Sequence, residues 1–295
     1  MASTLPVFTS HAGEVKVREA YDAVLGHWPV PYREFDVPTA FGTTHLIASG
    51  PEHGPPVVLL HALFATATSW YRTVGALAKR HRTLAIDVMG EANKSRPTRV
   101  ITSLDDYQQW FTELIDHLHV RELSLVGNSM GGFGATYLAM HLPGRVKKLA
   151  LISPAATFHS IVPFHLHLFL PKAAYLLLPW LPGLPTAMRH SVNWAHAGLP
   201  GDGLWSELFY LTMVHGSTQT RIYPRVFTAE ELARIKAPTL VLIGDRERVY
   251  PPSKARRAAL RLMPSVQVQI IPQAHHIAPV AQPEPVNACL LEFLR

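Results

Sequence analysis

The sequence predicts an α/β fold: a mostly parallel central sheet with helices on both faces, interrupted by an inserted helical cap. Three observations predict it. Short, almost wholly apolar runs recur between helical patterns, as strands buried on both faces require. That alternation breaks off in mid-chain and later resumes. A length of 295 residues suits one large domain with an insertion better than two independent domains. The expected organisation is a first part of the core over residues 1–154, the cap over 155–230, and a second part of the core over 231–295.

In chain order, REFDVPT and TTHLIASG read as two early antiparallel strands, and PPVVLLHA (residues 55–62) as a strand buried on both faces. A helix over residues 69–80 and the strand TLAIDV follow. Leu104, Tyr107, Trp110, Phe111, Leu114, Ile115 and Leu118 recur at steps of three and four, with Ser103 placed to cap an amphipathic helix. The strand ELSLVGN then runs straight into SMGGFGATYLAMHL, a helix that starts with small residues, and VKKLALIS is the next strand. From about residue 154 to 228 no strand pattern appears, and prolines, Trp, Phe, Leu and His crowd together. The alternation returns with APTLVLIG, a helix through KARRAALRLM, the strand VQVQIIP and a last helix over residues 283–295.

Composition excludes several classes. With 48% hydrophobic and 16% charged residues this is a folding sequence, not a disordered one. The net charge of +6 is scattered in pairs such as Lys79 with Arg80 and Lys147 with Lys148, so no basic stripe points to nucleic acid. Cys289 is the one cysteine, which rules out an internal disulfide and suggests a packing role. MASTLPVFTSHAGEV lacks the basic start and apolar run of a signal peptide, so cytoplasmic residence is expected. Residues 161–185 have the length of a membrane span, but prolines, two histidines and Lys172 interrupt them, and no span is expected. The His-x-His pairs at 117/119 and 165/167 lack a carboxylate cluster, so neither a metal nor any other cofactor is expected.

LVGNSMGG carries the chemistry. Gly127, Ser129 and Gly131 spell G-x-S-x-G between a predicted strand and a predicted helix. Small flanking residues let the chain turn sharply enough to expose the serine at a helix N-terminus, where the dipole favours the anion of acyl transfer. A serine hydroxyl needs a base to take its proton and an acid to orient that base. The chain has 17 histidines, so position must choose among them. In the chain order that goes with this motif the acid follows a strand late in the sheet and the histidine follows the last strand. Asp245 and Glu247 in GDRERVYPP, and His275 and His276 in IIPQAHHIAPV, occupy those slots.

On these motifs the chain resembles the α/β-hydrolase superfamily over essentially its whole length outside the insertion. Members carry a Gly-His pair after the last strand with Pro-Glu seven residues beyond the histidine. Pro283-Glu284 stands at that distance from His276, which implies His276 as the base and His275 in the glycine's place. Members commonly read G-D-x-D, with the orienting acid three residues after the glycine. Counted from Gly244, that is Glu247 and not Asp245, and the longer side chain adds about 1.5 Å of reach. The resemblance implies an oxyanion hole made by the backbone N–H groups of Met130 and Leu63; Ala62 stands where relatives carry a glycine that permits an unusual turn. The stretches HWPVPYREFDVPTAFGTTHLIASGPE, DVMGEANKSRP and LISPAATF are similar to a bacterial group of carboxylesterase-like hydrolases with a glutamate acid.

The function expected is hydrolysis of carboxylic esters through an acyl-enzyme. Phe158, Phe164, Phe169, Tyr175, Trp180, Trp194, Trp205 and Phe209 make the cap aromatic, which points to a small apolar or aromatic ester as the partner, even though most of them singly serve the cap's own core. Thioesterase, lactonase or carbon–carbon bond hydrolase action is an alternative within the hydrolases. A ligand-sensing protein, or a non-hydrolytic enzyme of cyclisation or rearrangement, is the alternative outside them, motivated by Ala62 and His275.

Overall fold

The computed structural model describes residues 3–161 and 203–295 and, between them, residues 170, 172–174, 177–178, 183–184 and 186–190. In chain order the core begins with α1 (His11–Leu25), β1 (Tyr32–Thr39), β2 (Gly42–Ser49) and β3 (Pro56–Leu60). A single 3-10 turn (Ala67–Trp70) leads into α2 (Tyr71–Leu77), followed by β4 (Arg82–Ile86), β5 (Arg96–Pro97) and α3 (Leu104–His117). Next come β6 (Leu123–Asn128), α4 (Met130–His141) and β7 (Val146–Ile152). Beyond residue 202 lie α5 (Gly203–His215), α6 (Ala229–Leu232), β8 (Thr239–Gly244), α7 (Pro252–Leu262), β9 (Gln267–Ile271), α8 (Ala278–Ala281) and α9 (Pro283–Leu294).

The strands form one nine-stranded sheet in the order β1-β2-β4-β3-β6-β7-β8-β9, with β5 attached to β2. β1, β2 and β4 are linked antiparallel, and every pairing from β4 through β3 to β9 is parallel. The apolar runs divide their side chains between two cores with period two. Val58, Leu60, Val241 and Ile243 face the layer that holds α3, while Val57, Leu59, Leu240 and Leu242 face the one that holds α1, α2 and α9. α3 is capped as its sequence predicts, with the Ser103 hydroxyl accepting from the Asp106 N–H, and it buries Tyr107, Trp110, Phe111, Leu114 and Ile115.

Some expectations shift. The helix expected over 69–80 begins as the 3-10 turn and ends at Leu77. α1 was not legible as an element: besides Gly13 its buried residues are Val17, Tyr21, Val24 and Leu25 among many polar ones. It packs on α5 so closely that a Cβ on Gly13 would lie 2.8 Å from His215. Most of residues 161–185, and with them Phe164, His165, His167, Phe169, Tyr175 and Trp180, lie outside the described residues, as does Trp194. Among the described residues no helix is long and apolar enough to cross a membrane. Cys289 is half-buried, its thiol 2.8 Å from the Gln269 side-chain oxygen.

Candidate active site

The carboxyl ends of the parallel strands converge on one side of the sheet, where loops rather than helices meet and polar side chains can gather. Ser129 follows β6 directly. Its φ of 52° and ψ of −114° put a non-glycine residue in a backbone region that costs energy, the strained turn a strand needs to enter a helix at once. The flanking glycines are required by closeness. A Cβ on Gly127 would lie 2.3 Å from the Gly131 carbonyl oxygen, and one on Gly131 would lie 2.2 Å from the Leu60 carbonyl oxygen of β3. The turn is tied down by the Ser129 N–H, which donates to Ile152 at 3.0 Å, and by the Ser129 carbonyl, which accepts from Phe133 and Ala155 at 2.9 Å.

His276, in the loop after β9, brings its Nε2 to 2.7 Å from the Ser129 Oγ and its Nδ1 to 2.9 Å from a Glu247 carboxylate oxygen. A carboxylate only accepts, so Nδ1 carries the proton and Nε2 is left to accept from the serine hydroxyl. The other Glu247 oxygen accepts the N–H groups of Arg248 and Val249, each at 2.8 Å. Burial pushes the Glu247 carboxyl up, but the neighbouring His276 and the Val249 N–H outweigh it and hold the group below its ordinary value. All three residues of this chain are buried. Asp245, by contrast, is exposed at the end of β8, and its N–H bonds to Ile271 across the strand pair. His275 points away from the serine and binds the Arg246 carbonyl oxygen through Nδ1 at 2.8 Å.

The loop after β3 departs from the turn that the resemblance implies. Ala62 keeps an ordinary backbone, and the left-handed position is Phe64, with φ of 62°. The Ala65 N–H donates to the Ala62 carbonyl at 3.0 Å, so residues 62–65 close a turn whose third residue takes the left-handed conformation, as in type II turns. The glycine's role has moved two residues along. Such a turn makes no use of the N–H of its second residue, Leu63. Met130 N–H is likewise one of the first N–H groups of α4, which have no acceptor within their own helix.

Neighbouring side chains pin this turn. His61 Nδ1 lies 2.8 Å from the Ala62 carbonyl oxygen and its Nε2 accepts the Val88 N–H at 3.0 Å, a pairing that demands the neutral, Nδ1-protonated ring; burial lowers the imidazole's pKa in the same direction. The Thr212 hydroxyl on α5 donates to the Phe64 carbonyl. The Glu91 carboxyl accepts the Phe64 N–H at 3.3 Å. Sequence reasoning missed Thr212 and Glu91 in this turn and, at the His276 loop, Asn128, whose amide donates to the carbonyls of Ile152 (2.9 Å) and His276 (3.3 Å). The Glu of DVMGEANKSRP stood in plain view, but nothing in that string distinguishes a buried acid from a solvated one. An apolar cluster of Leu63, Phe64, Met188, Trp205, Phe209, Met213, Ile277 and Val280 adjoins the turn and the His276 loop. Among the described residues no group of three or more His, Cys, Asp or Glu side chains is arranged to hold a metal. His117 bonds its own helix, through Nδ1 to the Glu113 carbonyl.

A family model described as the alpha/beta hydrolase fold matches residues 55–202. The uncharacterized carboxylesterase nap of Bacillus subtilis (strain 168) is 31% identical over 297 residues, covering 99% of this chain and 96% of its own. Carboxylesterase YbfK of the same organism is also 31% identical, over 97% of this chain and 96% of its own. The crystal structure of naproxen esterase from Bacillus subtilis superimposes with a TM-score of 0.86 at 31% identity, over 97% of this chain and 99% of that one.

Proposed function

This chain belongs to the α/β-hydrolase family, and on that premise we propose that it is a serine hydrolase that cleaves carboxylic esters through an acyl-enzyme. The observation that carries the reading is the unbroken hydrogen-bond chain from Ser129 Oγ through His276 to Glu247, at 2.7 and 2.9 Å. Names supply a second support, since both Bacillus subtilis relatives are described as carboxylesterases.

In the proposed reaction the ester carbonyl sits over the elbow. Ser129 Oγ attacks it while His276 Nε2 takes the hydroxyl proton, and the buried Glu247 carboxylate stabilises the imidazolium that forms. The oxyanion is bound by the N–H groups of Met130 and Leu63. His276 returns the proton to the leaving alkoxide, the alcohol departs, and water activated by the same imidazole hydrolyses the acyl-serine. The acid–base chemistry is supplied by side chains, with no role assigned to a cofactor.

We assign residues 155–230 to a cap over the nucleophile. The aromatic and aliphatic cluster around Trp205, Phe209 and Met213 on α5 supports an apolar or aromatic ester as the substrate. The alternatives with no hydrolysis lose their motive, because the Ala62 position does not need a glycine here and His275 has a partner of its own.

The test is turnover of p-nitrophenyl esters by the wild-type protein and Ser129→Ala, together with fluorophosphonate labelling. The expected result is a loss of at least about 10³-fold in kcat with an unchanged circular dichroism spectrum, and a label on Ser129 alone. Retained turnover in Ser129→Ala would sink the reading.

A further inference from the structure

Glu91 is a buried acid that the proposed reaction does not use. It sits on the loop that leaves β4, and this loop is held rigidly. Asp87 accepts the N–H groups of Ala67 (2.7 Å) and Lys94 (3.1 Å), the Asn93 amide donates to Val88 (2.9 Å), and Ser95 donates to Asp87 (2.7 Å). Gly90, with φ of 84°, turns the chain so that Glu91 points inward; a Cβ on Gly90 would lie 2.8 Å from Thr220. Glu91 lines a small cavity with His61, Tyr107, Met130 and Gly131, so it shares that cavity with one proposed oxyanion donor. Its hydrogen bond to the Phe64 N–H grips the turn that presents the other, Leu63.

We propose that Glu91 is a positioning residue for the oxyanion hole. Its acceptor oxygen fixes the left-handed Phe64 and hence the direction of the Leu63 N–H, and its ionisation sets a negative charge beside the developing oxyanion. This rests on the esterase reading above. An acid's carbonyl oxygen and a carboxylate both accept the Phe64 N–H, so the turn persists in either form. The charge does not: in a water-poor pocket a second anion raises the barrier for forming the first.

The groups facing Glu91 support a neutral acid. Burial pushes its pKa up to about 8, against the pull of the Phe64 N–H, and Asp87 from the same loop adds to the rise. From the loop after β3 comes His61, which the bonding pattern keeps uncharged; from α3 comes Tyr107, whose own ionisation burial and Glu91 suppress. Lys172 sits over the Phe64 ring, 4.5 Å from its centroid, and burial lowers its pKa to about 8.

The experiment is a pH series of kcat and KM from pH 6 to 10 with p-nitrophenyl butanoate, for the wild type, Glu91→Gln and Glu91→Leu, with the rate of Ser129 phosphonylation as a parallel readout. In the wild type kcat should fall above about pH 8, and in Glu91→Gln, normalised to its own maximum, that alkaline fall should vanish. Glu91→Leu, which has no acceptor for the Phe64 N–H, should lose about tenfold or more in kcat across the range with KM changed by less than about threefold. An alkaline fall that survives in Glu91→Gln, or wild-type kcat in Glu91→Leu, overturns the proposal. If Glu91→Leu does not fold, the Glu91→Gln profile decides alone. Absence of both turnover and labelling in the wild type would overturn the esterase reading and this one with it, whereas normal turnover insensitive to Glu91 overturns this one only.

Discussion

At the scale of single residues the site turns on which acid lies at the end of one hydrogen bond. Glu247 and Asp245 are two residues apart on the same loop, yet one is buried against His276 and the other is exposed. Two backbone N–H groups cradle the Glu247 oxygen that His276 does not use, so the carboxylate stays ionised despite its burial. Glu247→Gln keeps the shape but replaces a carboxylate with an amide that neither stabilises an imidazolium nor enforces the Nδ1 tautomer. It should lower kcat for p-nitrophenyl esters by about 10²- to 10⁴-fold with little change in KM, while Asp245→Asn stays within about twofold. Comparable losses in the two variants would return the choice to Asp245. The sequence narrowed the acid to these two residues by chain order, and the resemblance chose between them. What neither offered was the cradle, which depends on the path of the backbone after Gly244.

At the scale of elements the nucleophile's turn depends on two chains passing at backbone contact. Gly131 lies against the Leu60 carbonyl of β3, 71 positions away in sequence, which can yield only by moving the sheet. Gly131→Ala should therefore cost more than the about 1 kcal/mol gained from better helix propensity, with a destabilisation on the order of 2–4 kcal/mol in urea unfolding. A variant as stable as the wild type would show that α4 can slide away from β3 at no cost. G-x-S-x-G was readable as a pattern because it is local; so were α3 and the alternating strands, whose side-chain periods are set by backbone geometry alone. α1 was not. Its apolar face makes sense only against α5, which stands nearly two hundred residues later, and the hydrophobic stripe it shows by itself is shallow.

At the scale of the whole molecule, Glu91 couples the site to the stability of the fold. Its carboxyl ionises near its ordinary value when the chain is unfolded and only at about 8 when it is folded. Between those limits the folded state binds the proton that the unfolded state has released, so this group's contribution falls as pH rises from about 4.5 to 8. Glu91→Gln has no proton to lose. Its melting temperature relative to the wild type should climb steadily across that window and level off above it, as read by parallel thermal melts. A difference that does not change with pH would place the Glu91 carboxyl at an ordinary pKa.

The sequence by itself determined the alternation of the core strands with most of their helices, the serine between strand and helix, and the late segments from which a histidine and an acid could join it, because each is written in spacing along the chain. Tertiary structure alone decided how the turn after β3 is made. Ala62 stands where the resemblance implies a glycine, and the left-handed conformation falls on Phe64, in a turn contacted by His61 at its own start, Glu91 from the neighbouring loop and Thr212 from α5. Such contacts join residues up to 148 positions apart. A local string records what a backbone can do, and only the packed chain shows which of those conformations its distant neighbours will hold in place.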